Sequence, residues 1–139
     1  MRKRERARPA YIPIIATILL SLSLIPIGYL VMPKSLPHGY RVVSRGTILA
    51  SAYNSLPGQT DDSPWITASG TRCREGVIAS NHFPIGTKLY IEGYRGRVFV
   101  VEDRMNARYK KKIDIWFREY NDARRFGVRK VKYYVVKSA

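Results

Sequence analysis

The chain has 139 residues, 45% of them hydrophobic, and twenty-five Lys and Arg against ten Asp and Glu give a net charge of +15. That length allows one domain of ordinary size, no internal repeat is present, and a single cysteine, Cys73, excludes an intrachain disulfide framework. The basic excess suits a polyanionic partner: nucleic acid, anionic lipid headgroups, or a wall polymer rich in carboxylates and phosphates.

Residues 1–10, MRKRERARPA, form a basic tail with five positive residues against Glu5. From Tyr11 to Met32 no residue is charged, and those 22 positions as a helix reach about 33 Å against a hydrocarbon core of about 30 Å. A transmembrane anchor is expected over 11–32. The positive-inside rule then puts the N-terminus in the cytoplasm and everything after Pro33 on the extracytoplasmic or periplasmic side of a cell (inner) membrane. A cleaved secretory signal has the same basic-then-apolar order. This run is longer than a usual signal core, and no small-x-small cleavage site follows it, so the retained anchor is the expectation. Outside a membrane, nucleic acid is the least available polyanion, and no nucleic-acid module signature occurs, so no nucleic-acid partner is expected.

Residues 33–40, PKSLPHGY, read as a stiff linker, and the domain proper occupies 41–139. Six short two-periodic stretches follow: RVVSRGTILASAY, GVIAS, TKLYIEG, GRVFVVED, KKIDIWF and RKVKYYVV, separated by Gly, Pro, Asn and Asp. REYNDARRF, from Arg118 to Phe126, is the one helical segment, with Gly127 at its C-terminal stop. Six strands and one short helix in about 100 residues predict a mainly β fold closed into a six-stranded barrel. Residues 54–76 form the longest stretch without periodicity, and loops of that length are usually functional.

In KIDIWF, alternation sets Ile113 and Ile115 on one face and Asp114 with Trp116 on the other. An acid between two β-branched residues is costly unless it is used. Partial burial beside an aromatic ring raises a carboxyl pKa and keeps the group protonated for general-acid work at neutral pH. A second acid pair, Glu102-Asp103, ends the preceding strand, and two carboxylates beside a long polar loop are what glycosidic cleavage asks for. No metal and no cofactor is expected. His38 and His82 have no partner at ligand spacing, no Gly-x-Ser-x-Gly elbow exists, and the glycines fit no phosphate-binding template. Cys73 lies between Arg72 and Arg74, neighbours that depress a thiol pKa, but reads as an incidental loop cysteine.

QTDDSPWITASG, GVIASNHFPIGTKLYIEGY, VVEDRMN, KKIDIWF and ARRFGVRKVKYYVV, in that order, resemble the three-aspartate (3D) domain family over about Thr47 to Val136. The resemblance implies a double-psi β-barrel, related to the catalytic barrel of membrane-bound lytic transglycosylase A and similar to that of expansins. It further implies cleavage of peptidoglycan glycan strands between N-acetylmuramic acid and N-acetylglucosamine, with Asp114 as the catalytic acid and Asp103 as its supporting acid. The family's first aspartate falls on Asn81, which retains hydrogen bonding to a sugar but not charge; Asp61 or Asp62 is the candidate to compensate. The glycine-rich stretch after the second aspartate is replaced by RMNARYKKK. On this reading Thr67, Ser69 and Gly70 line the cleft, and Tyr53 and Trp116 stack on sugar faces. A non-catalytic, expansin-like wall-binding module and a basic scaffold domain are the competing expectations.

Overall fold

The computed structural model describes residues 33, 35–55 and 65–139. The basic tail, the expected anchor over 11–32, and Asp61 and Asp62 lie outside the described residues. Among the described residues no helix is long and apolar enough to cross a membrane.

Six strands and one helix form: β1 (Tyr40–Tyr53), β2 (Val77–Ser80), β3 (Lys88–Ile91), β4 (Val98–Asp103), β5 (Lys112–Trp116), α1 (Tyr120–Phe126) and β6 (Arg129–Ser138). Each strand falls on one of the six two-periodic stretches. The hydrogen-bonded order is β1-β5-β2-β4-β3-β6, and β6 returns to β1, so the one sheet closes on itself. Pairing is parallel for β1 with β5 and for β2 with β4, and antiparallel elsewhere.

The alternation of each strand sorts its residues. Ile48, Ala50, Ile78, Leu89, Ile91, Phe99, Val101, Ile113, Ile115 and Val131 point into one apolar core, joined by Phe83 and Phe126. Burying such side chains supplies roughly 1.5–3 kcal/mol each. Residues between them face away from that core, where Trp116, Val77 and Cys73 build a second cluster against Tyr53. Tyr90, Tyr134 and Val136 build a third with Leu36, Tyr40, Val42 and Val98.

Helix α1 is two residues shorter than its sequence pattern. Glu119 is still extended (φ −93°, ψ 131°), and no side chain caps the first turn, so nothing holds Arg118 and Glu119 in the helix. Its end is as expected: Gly127 takes φ 62° and its N–H donates to the Ala123 carbonyl. Phe126 anchors the helix, buried and 5.5 Å from the Phe117 ring.

Two irregularities matter. In β1 the register shifts between Val42 and Ser44. Between β2 and β4 it shifts so that Ile78 faces Val101 but Ala79 faces Asp103, leaving Glu102 as the extra residue of a bulge.

Candidate functional site

Asp114 and Ser51 are direct partners in the parallel β1–β5 ladder, both on the face turned from the main core. The Ser51 hydroxyl donates to Asp114 Oδ1 at 2.8 Å, the one hydrogen bond this carboxyl receives among the described residues. Asp114 is half-buried. Burial pushes its pKa above the ordinary carboxylate value; the Ser51 hydrogen bond and Lys112 pull the other way, and Asp103 adds a small upward push. Desolvation wins, as expected for an acid wedged between Ile113 and Ile115.

On the far side of β2, Ala79 pairs with Asp114 of β5 and with Asp103 of β4. The two acids are therefore level with one small residue, their backbones two strand spacings apart, about 10 Å. Regular alternation from Phe99 and Val101 would turn Asp103 into the apolar core. The bulge at Glu102 re-aims it onto the face that carries Asp114.

Asp103 is held from three directions: Tyr53 Oη donates to Oδ2 at 2.9 Å, and the Ala68 and Arg104 N–H groups donate to Oδ1 at 2.8 Å each. Burial lifts the Tyr53 phenol well above its ordinary range, and the neighbouring Asp103 charge and hydrogen bond lift it further. Tyr53 therefore stays a donor. Asp103 makes no hydrogen bond to Asp114 among the described residues; it couples through charge alone.

Against Asp103 and Glu102 lies the segment 65–74, a small hairpin closed by the Ile66–Arg72 bridge and by the Cys73 N–H to the Trp65 carbonyl at 2.9 Å. Gly70 turns it at φ 80°, a conformation that suits glycine. Thr67 is buried, its hydroxyl within 2.9 Å of Ser69 Oγ and 2.8 Å of Thr71 Oγ1. The hairpin is tied to β4 at both acids. Ser69 N–H donates to the Glu102 carbonyl, Thr71 Oγ1 donates to the Glu102 carboxylate, and Arg74 grips that carboxylate with both guanidinium nitrogens at 2.7 and 2.6 Å. The Arg74 hydrogen bond, then that of Thr71, holds Glu102 below the usual carboxylate range.

Of the residues singled out in the sequence, Asp114, Asp103, Tyr53, Thr67, Ser69 and Gly70 come together here. Trp116 and Asn81 are placed differently. Trp116 is only 4% exposed; its indole N–H donates to Ser55 Oγ at 2.9 Å and its ring packs on Val77 and Cys73. Asn81 Nδ2 donates to the carbonyls of Met105, Asn106 and Tyr109 at 3.0, 3.0 and 3.2 Å, while Oδ1 accepts from the Met105 N–H. Its amide secures the 105–109 loop. Burial also pushes the Cys73 thiol up, outweighing Arg74.

Two participants escaped the sequence reading, and a third, Glu102, was named there only as half of an acid pair. Ser51 becomes visible only once β1 is known to run parallel to β5. Glu102 looked equivalent to Asp103. Trp65, 52% exposed on the hairpin beside half-exposed Ile66, carried no periodic signal. Among the described residues no group of His, Cys, Asp and Glu is arranged to hold a metal ion. No family model and no curated protein matches the chain.

Proposed function

We propose that this chain is a membrane-anchored lytic transglycosylase of 3D-domain type, its closed sheet a double-psi β-barrel that cleaves peptidoglycan strands in cell-wall turnover on the extracytoplasmic side. One observation carries the reading. Asp114 is half-buried with its pKa raised by desolvation, receives a single described hydrogen bond, and shares a face with a second, firmly held acid. Desolvation that raises a carboxyl pKa makes that group a readier proton donor, which suits Asp114 to give a proton to a glycosidic oxygen.

In the proposed reaction Asp114 protonates the bridging oxygen as the bond between N-acetylmuramic acid and N-acetylglucosamine breaks. The resulting carboxylate then accepts the proton of the muramyl C6 hydroxyl as that oxygen bonds to the anomeric carbon. A 1,6-anhydro end forms, with neither water nor a protein nucleophile consumed. Asp103, level with Asp114 across β2, stabilises the positive charge that develops on the sugar ring. The Thr67–Gly70 turn lines the approach.

A second reading, a non-catalytic wall-binding module, draws on the exposed Trp65 and Ile66 pair, an aromatic and apolar platform of the sort that sugar faces stack on. Mass spectrometry of peptidoglycan incubated with the detergent-solubilised chain separates the two. Anhydromuropeptides from the wild type and none from Asp114→Asn support the transglycosylase. Reducing-end products mean a hydrolase at the same acid, and no release despite co-pelleting with the wall leaves the binding module.

A further inference from the structure

Beyond the acid site, the same side of the sheet is basic. Leu49 of β1 pairs with Lys112 of β5 on one side and with Lys130 of β6 on the other. Since Ile48, Ala50, Ile113 and Val131 enter the main core, these three alternate residues face away from it in one row. The next row pairs Thr47 with Lys132, and the one after pairs Arg45 with Tyr134. Arg45, Thr47, Leu49, Lys130 and Lys132 are exposed.

Among the described residues the one carboxylate ion-paired to this row set is Glu92, 3.3 Å from Lys132 Nζ, with half or more of each side chain in water. Such a pair holds little energy and leaves the lysine available. Lys112 is fixed, its ammonium 4.7 Å from the centre of the Tyr109 ring. The rows run directly into the acid site. Lys112 and Asp114 are successive same-face positions of β5, about 6.6 Å apart, and Leu49 and Ser51 are their counterparts on β1.

We propose that the face of β6, β1 and β5 carrying Lys130, Lys132, Arg45 and Lys112 is a track for a carboxylate-bearing linear polymer that leads it to Asp114. This deepens the glycan reading, and rests on it only for the polymer's identity: the stem peptides of peptidoglycan supply the carboxylates. Two features favour a linear polymer over a lipid surface. Leu49, 40% exposed, is the sole exposed large apolar side chain in these rows, too little for interfacial insertion. A flat bilayer seated on the lysines would also cover the adjoining Asp114 carboxyl, whereas a thread passes over it.

The test uses the full chain in zwitterionic lipid discs and fluorescent poly-L-glutamate as the probe. At about 0.05 M salt Lys130→Glu/Lys132→Glu binds the probe about tenfold more weakly than wild type, and the difference shrinks by about 0.5 M. Arg97→Glu/Arg118→Glu, the same charge change on the rim of a separate cleft that Tyr94, Phe99 and Phe117 line past the other end of β5, stays within about twofold of wild type. Equal binding by the track variant and wild type, or equal loss in both variants, overturns the proposal. A fluorophore on Thr47→Cys, selective because Cys73 is buried, should respond to poly-L-glutamate; quenching by brominated phosphatidylglycerol placed in the disc would assign the face to the bilayer and overturn it. If the track variant loses poly-L-glutamate while neither protein binds peptidoglycan, the track stands and the glycan reading falls.

Discussion

Tyr53 and Asp103 belong to strands that do not pair, with β5 and β2 between them in the sheet, yet Tyr53 Oη donates to Asp103 Oδ2 at 2.9 Å. This contact joins the first strand to the fourth over the site. Tyr53→Phe removes it, leaving two backbone donors on the carboxylate, and should cost about 1 kcal/mol of stability. Chemical denaturation measures the cost. A drop in the proposed glycan cleavage larger than the stability loss explains would show that Asp103 must be held, and unchanged kinetics would show that its backbone donors suffice.

Asp114→Asn should raise thermal stability at pH 7. The folded pKa of Asp114 lies above its ordinary value of 3.8, so the folded state is favoured below that value and loses the advantage as pH rises through the folded pKa. Asparagine keeps the acceptor for Ser51 and never ionises. Calorimetry from pH 3 to 8 should find the two melting temperatures converging in acid and the variant ahead at neutrality. A variant equally or less stable at pH 7 would mean that the Ser51 and Lys112 interactions outweigh burial.

Glu102 behaves in the opposite sense. Arg74 depresses its pKa, so the stabilisation is present above the ordinary carboxylate value of 4.5 and disappears as pH falls through the lower folded value. Because 54% of the Arg74 side chain remains in water, Arg74→Ala should cost only about 1 kcal/mol at pH 7. The cost should shrink as pH falls through that lower folded value, where Glu102 loses its charge in both proteins. Protease cutting within 65–74 should rise in the variant, since this pair ties the hairpin to β4.

Asn81→Asp should damage the protein. Three carbonyl oxygens surround Asn81 Nδ2, and a carboxylate oxygen in its place has no proton for any of them. Loss of the two amide N–H donors that the three carbonyls share, together with the new repulsion, should cost about 2–4 kcal/mol, read by urea denaturation. Activity equal to or above wild type with no loss of stability would show that the 105–109 loop tolerates a carboxylate.

Gly46 sits against Tyr133: a Cβ there would lie 2.7 Å from the tyrosine hydroxyl and 2.9 Å from Cζ. Tyr133 packs on the main core and pairs with Gly46 across β1 and β6, so it has little room to withdraw. Gly46→Ala should destabilise by about 1–3 kcal/mol, the usual cost of overpacking, and thermal melting checks it.

The strands were legible because each is a short apolar stretch bounded by Gly, Pro, Asn or Asp, continuous in VIAS and KLYI and alternating in KIDIWF around its single acid. Helix α1 was legible at Gly127 and not at Arg118, because no side chain marks its start and the last extended residue is an ordinary glutamate. Within the site, Asp114 followed from its own strand. The orientation of Asp103 did not, since the Glu102 bulge exists only relative to β2, and a bulge reverses what counting by twos predicts. Asn81 and Trp116 have side chains that suit a sugar, but tertiary neighbours claimed both: three loop carbonyls for one, Ser55 and Val77 for the other.

The order in which the strands pair also governs when this domain can fold. Only β3 and β4 are both consecutive in the chain and hydrogen-bonded to each other; every other pair waits for distant partners, and β6 must lie between β1 and β3 before the ring shuts. So many non-local pairings slow folding into the millisecond-to-second range. During synthesis the strands ahead of β6 would leave β1 and β3 as open edges, ready to pair with another chain, until Arg129–Ser138 arrives. The arginines and lysines along those edges, Arg45 and Lys88 among them, then serve a chain not yet folded by keeping its unpaired strands apart.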